Sequence, residues 1–290
     1  MVDAVSARWL RAPARRLGVV VVVYLVHLGL ALGFAWPVAN LLGDPTLSHP
    51  RGDLVLFEPG GLYLVEVLRL GRASLTSAAR GMTFAALATL YVGLLPLGAL
   101  LHALASAKRL TAAELVAAGA RSFGPLSLLL GLSLVATALA CVVPLGAGGL
   151  LEVKLKTALG DRGSDMAQAA LWAVALALAA VIGVIHDLAR AAAVSRALPG
   201  LAAARIGAEA FADHPIRGLT GWGVRGFTGV GLVVLLAWAA THVGVETSLR
   251  FAAVTALHQL AAFALVYLRA DWLAEAIRHT RRELPFSAEP

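Results

Sequence analysis

Residues 126–143 read LSLLLGLSLVATALACVV, eighteen positions without an Asp, Glu, Lys or Arg. About 20 largely apolar residues let an α-helix cross a hydrocarbon core of about 30 Å, so this stretch predicts a membrane-spanning helix. Charge-free runs of the same kind lie near 17–39, 83–105, 126–147, 168–185, 227–243 and 251–268. The chain of 290 residues is 59% hydrophobic and only 14% charged, with a mean hydropathy of +0.81. Soluble domains average about 45–50% apolar and about 25% charged, so an ordinary soluble domain is excluded. The expected fold is all-α: one polytopic transmembrane domain over 1–290, with six helices arranged as three hairpins.

Arg8, Arg11, Arg15 and Arg16 precede the first run, and Gly33-Phe34-Ala35 resembles a small-residue cleavage site. Signal h-regions extend over about 7–15 residues, and this run is longer, which predicts a retained anchor. Orientation follows from Lys and Arg. With the N-terminus inside, 16 of the 24 basic residues fall on inner segments and 8 on outer ones, placing both termini in the cytoplasm of a bacterial inner membrane. The net charge of +7 is thereby an orientation signal, and it requires no nucleic-acid partner. Cys141 is the single cysteine, so no internal disulfide and no multi-thiolate metal site is possible.

An internal repeat gives the organisation. Leu110, Gly119, Ala120 and Phe123 recur 88 residues later as Leu198, Gly207, Ala208 and Phe211, each time before a pair of spans. Pro125 and Pro215 follow, and a proline disfavours helix in the residue before it. Two elbow helices are therefore expected, 108–124 and 198–214, either lying at the inner membrane surface or packed on the bundle as connectors. The outer segment 44–80 opens on Pro45, Pro50 and Pro59, then places Glu66, Arg69, Thr76 and Arg80 three or four apart, which predicts an interfacial helix leading into the second span. The tail 269–290, with Glu275 three and four residues before Arg278 and His279, reads as a solvated cytoplasmic helix ended by Pro285.

The spans as bounded contain no charged residue, which disfavours an ion-coupled carrier. His27, His258 and Gln259 are the candidate intramembrane polar contacts: a relay or metal pair if the first and sixth helices touch, or neutral interhelical hydrogen bonds. His186, Asp187 and Arg190 close the fourth span at spacings that cluster them on one helix face. They read either as a headgroup or phosphate site, with Arg190 supplying the fork and Asp187 orienting it, or as a salt bridge anchoring the helix end. Gly221-Trp222-Gly223-Val224-Arg225-Gly226 fits G-x-G-x-x-G in letters but lacks the strand and βαβ unit of a dinucleotide site. No hydrolase, P-loop or zinc-protease spacing occurs, so no catalytic residue, cofactor or metal site is expected.

The stretch Asp187-Leu188-Ala189-Arg190-Ala191-Ala192-Ala193-Val194, followed by Ala210-Phe211-Ala212-Asp213-His214-Pro215, resembles the membrane domain attached to glycerophosphodiester phosphodiesterases, as do the six spans and the repeat. Hydrolase chemistry in that family belongs to a separate soluble region. The resemblance thus implies a non-enzymatic membrane module that binds lipid or a membrane-protein partner, and it transfers no catalytic residue. Ala113-Glu114 through Gly119-Ala120-x-x-Phe123 is also similar to the coupling loop by which binding-protein-dependent ABC permeases dock their ATPase. The glutamate stands one position off that pattern, and the motif occurs twice. A permease subunit coupling through its cytoplasmic elbows is the alternative.

Overall fold

The computed structural model describes residues 16–46, 62, 65, 66, 69, 72–244 and 247–282. All regular structure among them is helical: α1 (Leu17–Thr46), α2 (Arg72–Val92), α3 (Leu94–Ala105), α4 (Ala112–Ser195), α5 (Gly200–Asp213), α6 (Pro215–Val243) and α7 (Ser248–Arg282). Four described segments are long and apolar enough to cross a membrane: Thr83–Ala105, Ala112–Ser195, Pro215–Val243 and Ser248–Arg281. A shorter apolar stretch is Leu17–Gly33 in α1. Phe227 and Leu150 are more than four-fifths exposed, and Val135, Val142 and Val143 are also exposed. Apolar surface of this extent fits helices that face lipid or pack against a partner protein.

As a single rod, α4 would be about 126 Å long at 1.5 Å per residue, several bilayer cores end to end. It is not a rod. Gly160 takes φ 71° and ψ 176°, a conformation open to glycine, and interrupts the helical geometry. The chain reverses there: Gln168 Nε2 donates to the Gly148 carbonyl at 3.2 Å, and Leu171 also packs at Gly148. Farther from the turn, residues 129–136 face 182–189 across a shared crevice. The arms 112–159 and 161–195 therefore lie side by side and antiparallel. α6 and α7 are also antiparallel, Gly229 packing on Leu265 and Gly221 on Trp272, with Gly244 at φ 74° ending α6.

The expected second span runs through the α2–α3 junction. Pro96 has no N–H for the Val92 carbonyl, so one rung of the helical ladder is missing there, while Gly93 keeps helical angles, φ −62° and ψ −17°, and its N–H still donates to Thr89 at 2.8 Å. Residues 47–61 and most of 62–71 lie outside the described residues, so the outer segment is described only at Leu62, Val65, Glu66, Arg69 and from Arg72 on.

The two elbows differ. In the first copy Thr111 and Glu114 form a reciprocal capping box, and the helix they open continues through Pro125 into the long arm. No turn occurs at that proline, contrary to the expectation of a separate helix over 108–124: the proline removes one hydrogen bond from the ladder, a loss that membrane helices tolerate. In the second copy α5 ends at His214, with φ −141° and ψ 59°, and Pro215 opens α6 at the position where a proline costs no hydrogen bond. Arg205 Nε donates to Glu209 at 2.7 Å on the exposed face of α5, and this bond holds the guanidinium above its ordinary pKa.

The repeated glycines mark equivalent helix crossings. A Cβ at Gly119 would lie 2.6 Å from the Leu95 carbonyl oxygen, and one at Gly207 would lie 2.6 Å from the Ala189 amide and 2.8 Å from the Ile185 oxygen. Leu95 and Ile185 are themselves 90 residues apart, as are the buried pairs Leu94/Val184 and Leu101/Ala191. The structural repeat is thus larger than its sequence motif. It includes the helix before each elbow, α3 in one copy and the end of α4 in the other, and the second copy has a connection two residues shorter.

The tightest packing lies at one end of the bundle, around the last turns of α7. Ala270, Trp272, Leu273, Ala276, Ile277 and Thr280 are all buried, joined by Val20, Leu101 and Leu188 from other helices. This corrects the expectation of a solvated tail: Asp271, Glu275 and His279 are buried too. The i, i+4 charge pattern resembles that of an exposed helix, yet here its partners come from elsewhere in the chain. Arg16 donates to the Ser106 and Lys108 carbonyls, both at 2.7 Å, and Arg281 donates to the Ala105 carbonyl at 2.8 Å. Residues near both ends of the chain thus satisfy carbonyls at and just beyond the C-terminus of α3, groups that a helix leaves without partners.

Candidate functional site: an apolar cavity with two arginines

Two ionic centres occupy the packed end, and α7 supplies part of each. In the first, Asp187 on α4 is 1% exposed. Arg269 holds both its carboxylate oxygens with parallel bonds, Nη1 to Oδ2 at 2.6 Å and Nη2 to Oδ1. The Trp272 indole adds a bond to Oδ2 at 2.8 Å, and Arg190 Nη1 lies 3.7 Å from Oδ1. A buried carboxylate needs this full set, because an unpaired charge in such surroundings is costly. In the second centre Arg225, buried on α6, donates Nε to Asp271 at 2.6 Å and Nη1 to the Gly221 carbonyl at 2.8 Å. Its Nη2 lies 2.8 Å from Glu275 Oε2, an ion pair by distance whose angles fall short of a hydrogen bond. His279 Nε2 extends the chain at 3.6 Å from Glu275. Trp272 joins the two centres: its N–H faces Asp187 while its ring lies 6.0 Å from Arg225 Cζ. The glycine-rich entry to α6 permits this, since a Cβ at Gly221 would sit 3.1 Å from the indole ring.

Asp187 and Arg190 are therefore near each other, as their spacing anticipates, but the fork on Asp187 comes from Arg269, which the sequence pattern does not reveal. His186 does not join them. It faces the crevice between the arms of α4, lined by Leu129, Ser133 and Ala189, with its Nε2 buried and without a hydrogen-bond partner among the described residues. Residues one apart on a helix point about 100° apart, so spacing to Arg190 alone could not place His186 on Asp187's face. Nor do His27 and His258 pair. His27 Nδ1 lies 2.7 Å from the Val23 carbonyl of its own helix, and α1 is bonded to α7 instead by Tyr24 Oη, which donates to Gln259 at 2.6 Å.

Arg190 and Arg269 border a cavity of about 450 Å³, within the range of small-molecule sites. Its walls come from α1 (Val23, His27), α2 and α3 (Thr89 to Leu100), α4 (Leu130, Arg190) and α7 (Leu265 to Leu273). They are apolar except for the two guanidinium groups, His27 and Thr89. Arg190 Nε is buried with no hydrogen-bond partner among the described residues. Thr89 to Leu100 spans about 16 Å along a helix at 1.5 Å per residue, roughly half a hydrocarbon core of about 30 Å. Leu100 and Arg190 occupy equivalent positions of the structural repeat, so the duplication places a leucine and an arginine on the same cavity.

Among the described residues no group of three or more His, Cys, Asp or Glu side chains could hold a metal ion. Comparison with protein-family models, curated proteins and solved structures gives no match to this chain.

Proposed function

We propose that this chain is a non-enzymatic, lipid-binding module of the bacterial inner membrane, its six helices crossing as three hairpins with both termini cytoplasmic. The observation that carries this reading is the cavity: apolar walls about one leaflet deep, with Arg190 and Arg269 at the interfacial end of the spans, where a lipid headgroup sits. The lipid's head binds the arginines and an acyl chain follows the wall of leucines from α3. Asp187 is engaged by Arg269 and Trp272, which makes it a positioning group for the arginines rather than a free base. The resemblance to phosphodiesterase membrane domains agrees with a module that leaves chemistry to other regions. The orientation is supported by the basic bias and by the hydrogen bonds that gather Arg16, Ser106, Lys108 and Arg281 at one end, away from the Gly160 turn.

The permease alternative draws less support. Glu114 is engaged in the capping box, and Gly119 is packed against α3 instead of presented for docking. Mass spectrometry of the full chain purified in mild detergent tests both: co-purified lipid that is lost in Arg190→Gln is expected, whereas an ATPase subunit recovered in its place would favour the permease.

A further inference from the structure

We propose that the cavity selects a glycerophospholipid whose head carries one net negative charge and no ammonium group, the phosphatidylglycerol class. This rests on the lipid-site reading above and adds the charge of the ligand. Asp187, Arg190 and Arg269 together carry one net positive charge, and no carboxylate lines the cavity among the described residues. An ammonium-bearing head brought here would place a cation beside two guanidinium groups with no acidic side chain to receive it, and like charges in apposition disfavour a ligand. A phosphodiester supplies the single negative charge. Arg190 supplies the donor for it, since its side chain lines the cavity, keeps 12% exposure, and comes no nearer to Asp187 than 3.7 Å. Arg269 is 43% exposed and already forks onto Asp187, so it contributes field at the rim, where the hydroxyls of a glycerol head would remain hydrated. A phosphomonoester, at roughly −1.5 to −2 charge near neutral pH, exceeds what the site can neutralise.

The test is competition binding to the full chain in maltoside micelles at pH 8, read by native mass spectrometry. The probes are dioctanoyl phosphatidylglycerol, dioctanoyl phosphatidylcholine, dioctanoyl phosphatidate, decanoate and inorganic phosphate. Phosphatidylglycerol is expected to bind at least about tenfold tighter than phosphatidylcholine and no more weakly than phosphatidate. Arg190→Gln is expected to weaken it by about ten- to a hundredfold, the worth of a charge-assisted hydrogen bond. Thr89→Trp, which fills the cavity and leaves both arginines in place, guards against misfolding of the arginine variant and should also abolish binding. If phosphatidylcholine binds as well as phosphatidylglycerol while Thr89→Trp removes both, the charge inference fails and the lipid site stands. Preference for phosphatidate or decanoate likewise overturns the inferred class. If Thr89→Trp changes nothing, or inorganic phosphate competes as well as any lipid, the lipid-site reading itself fails.

Discussion

Trp272 donates its indole N–H to the carboxylate of Asp187 over 2.8 Å, and both side chains are only 1% exposed. The bond spans 85 residues of sequence and ties the last helix to the end of α4. Replacing Trp272 with Phe keeps most of the apolar contact and removes the donor. Loss of a hydrogen bond to a charged group costs about 1.5–3 kcal/mol, so Trp272→Phe should lower the thermal midpoint in detergent without changing helix content by circular dichroism.

Arg225 faces two carboxylates, Asp271 and Glu275, at 2.6 and 2.8 Å. Removing one member of a buried ionic group typically costs about 3–5 kcal/mol, because the remaining charge has no counterpart. Arg225→Met should thus be more damaging than Asp271→Asn, which leaves the Arg225–Glu275 pair intact. The triple replacement Arg225→Met, Asp271→Leu, Glu275→Leu should recover much of the loss, and thermal denaturation of the four proteins checks the order.

Gly207→Ala and Gly119→Ala should each destabilise by about 1–3 kcal/mol, since the new methyl meets backbone atoms at 2.6 Å that can yield only by separating two helices. At Gly131 nothing lies within 4 Å of the point an alanine methyl would occupy, and alanine there should be neutral or stabilising by up to about 1 kcal/mol. Stability measured in one detergent distinguishes the crossing glycines from the free one.

The proposed orientation has its own test. In a Cys141→Ser background, Lys108→Cys and Asp161→Cys lie near opposite ends of the first arm of α4 and its turn. A membrane-impermeant maleimide applied to intact cells should label position 161 and leave position 108 unlabelled until the membrane is opened. Labelling in the reverse order would invert the topology.

How much of the fold and of the site is legible in the sequence depends on the range of the interactions. The apolar runs reveal helices because length and absence of charge are local properties, and the L-x8-G-A-x-x-F repeat marks two real crossings, at Gly119 and Gly207. The tail misleads for the same reason. Glu275 and His279 at a helical spacing resemble a solvated face, and nothing nearby in the chain announces Arg225, fifty residues earlier, as the partner. Asp187 and Arg190 can be singled out as adjacent charges at a span end, but Arg269 lies 82 residues on, and only the packing of α7 against α4 assigns it. The first elbow departs from expectation through a weaker rule, since Pro125 removes one hydrogen bond and the helix absorbs the loss.

The helix α7 holds the counter-charges for residues made much earlier in the chain. Arg269 serves Asp187, Asp271 and Glu275 serve Arg225, and Arg281 closes the carbonyl of Ala105. During synthesis Asp187 therefore enters the membrane region with only Arg190 for company, and Arg225 arrives before either of its carboxylates. Until residues 248–282 are in place these charges lack their partners, so this end of the bundle is completed only by the segment that follows it in the chain.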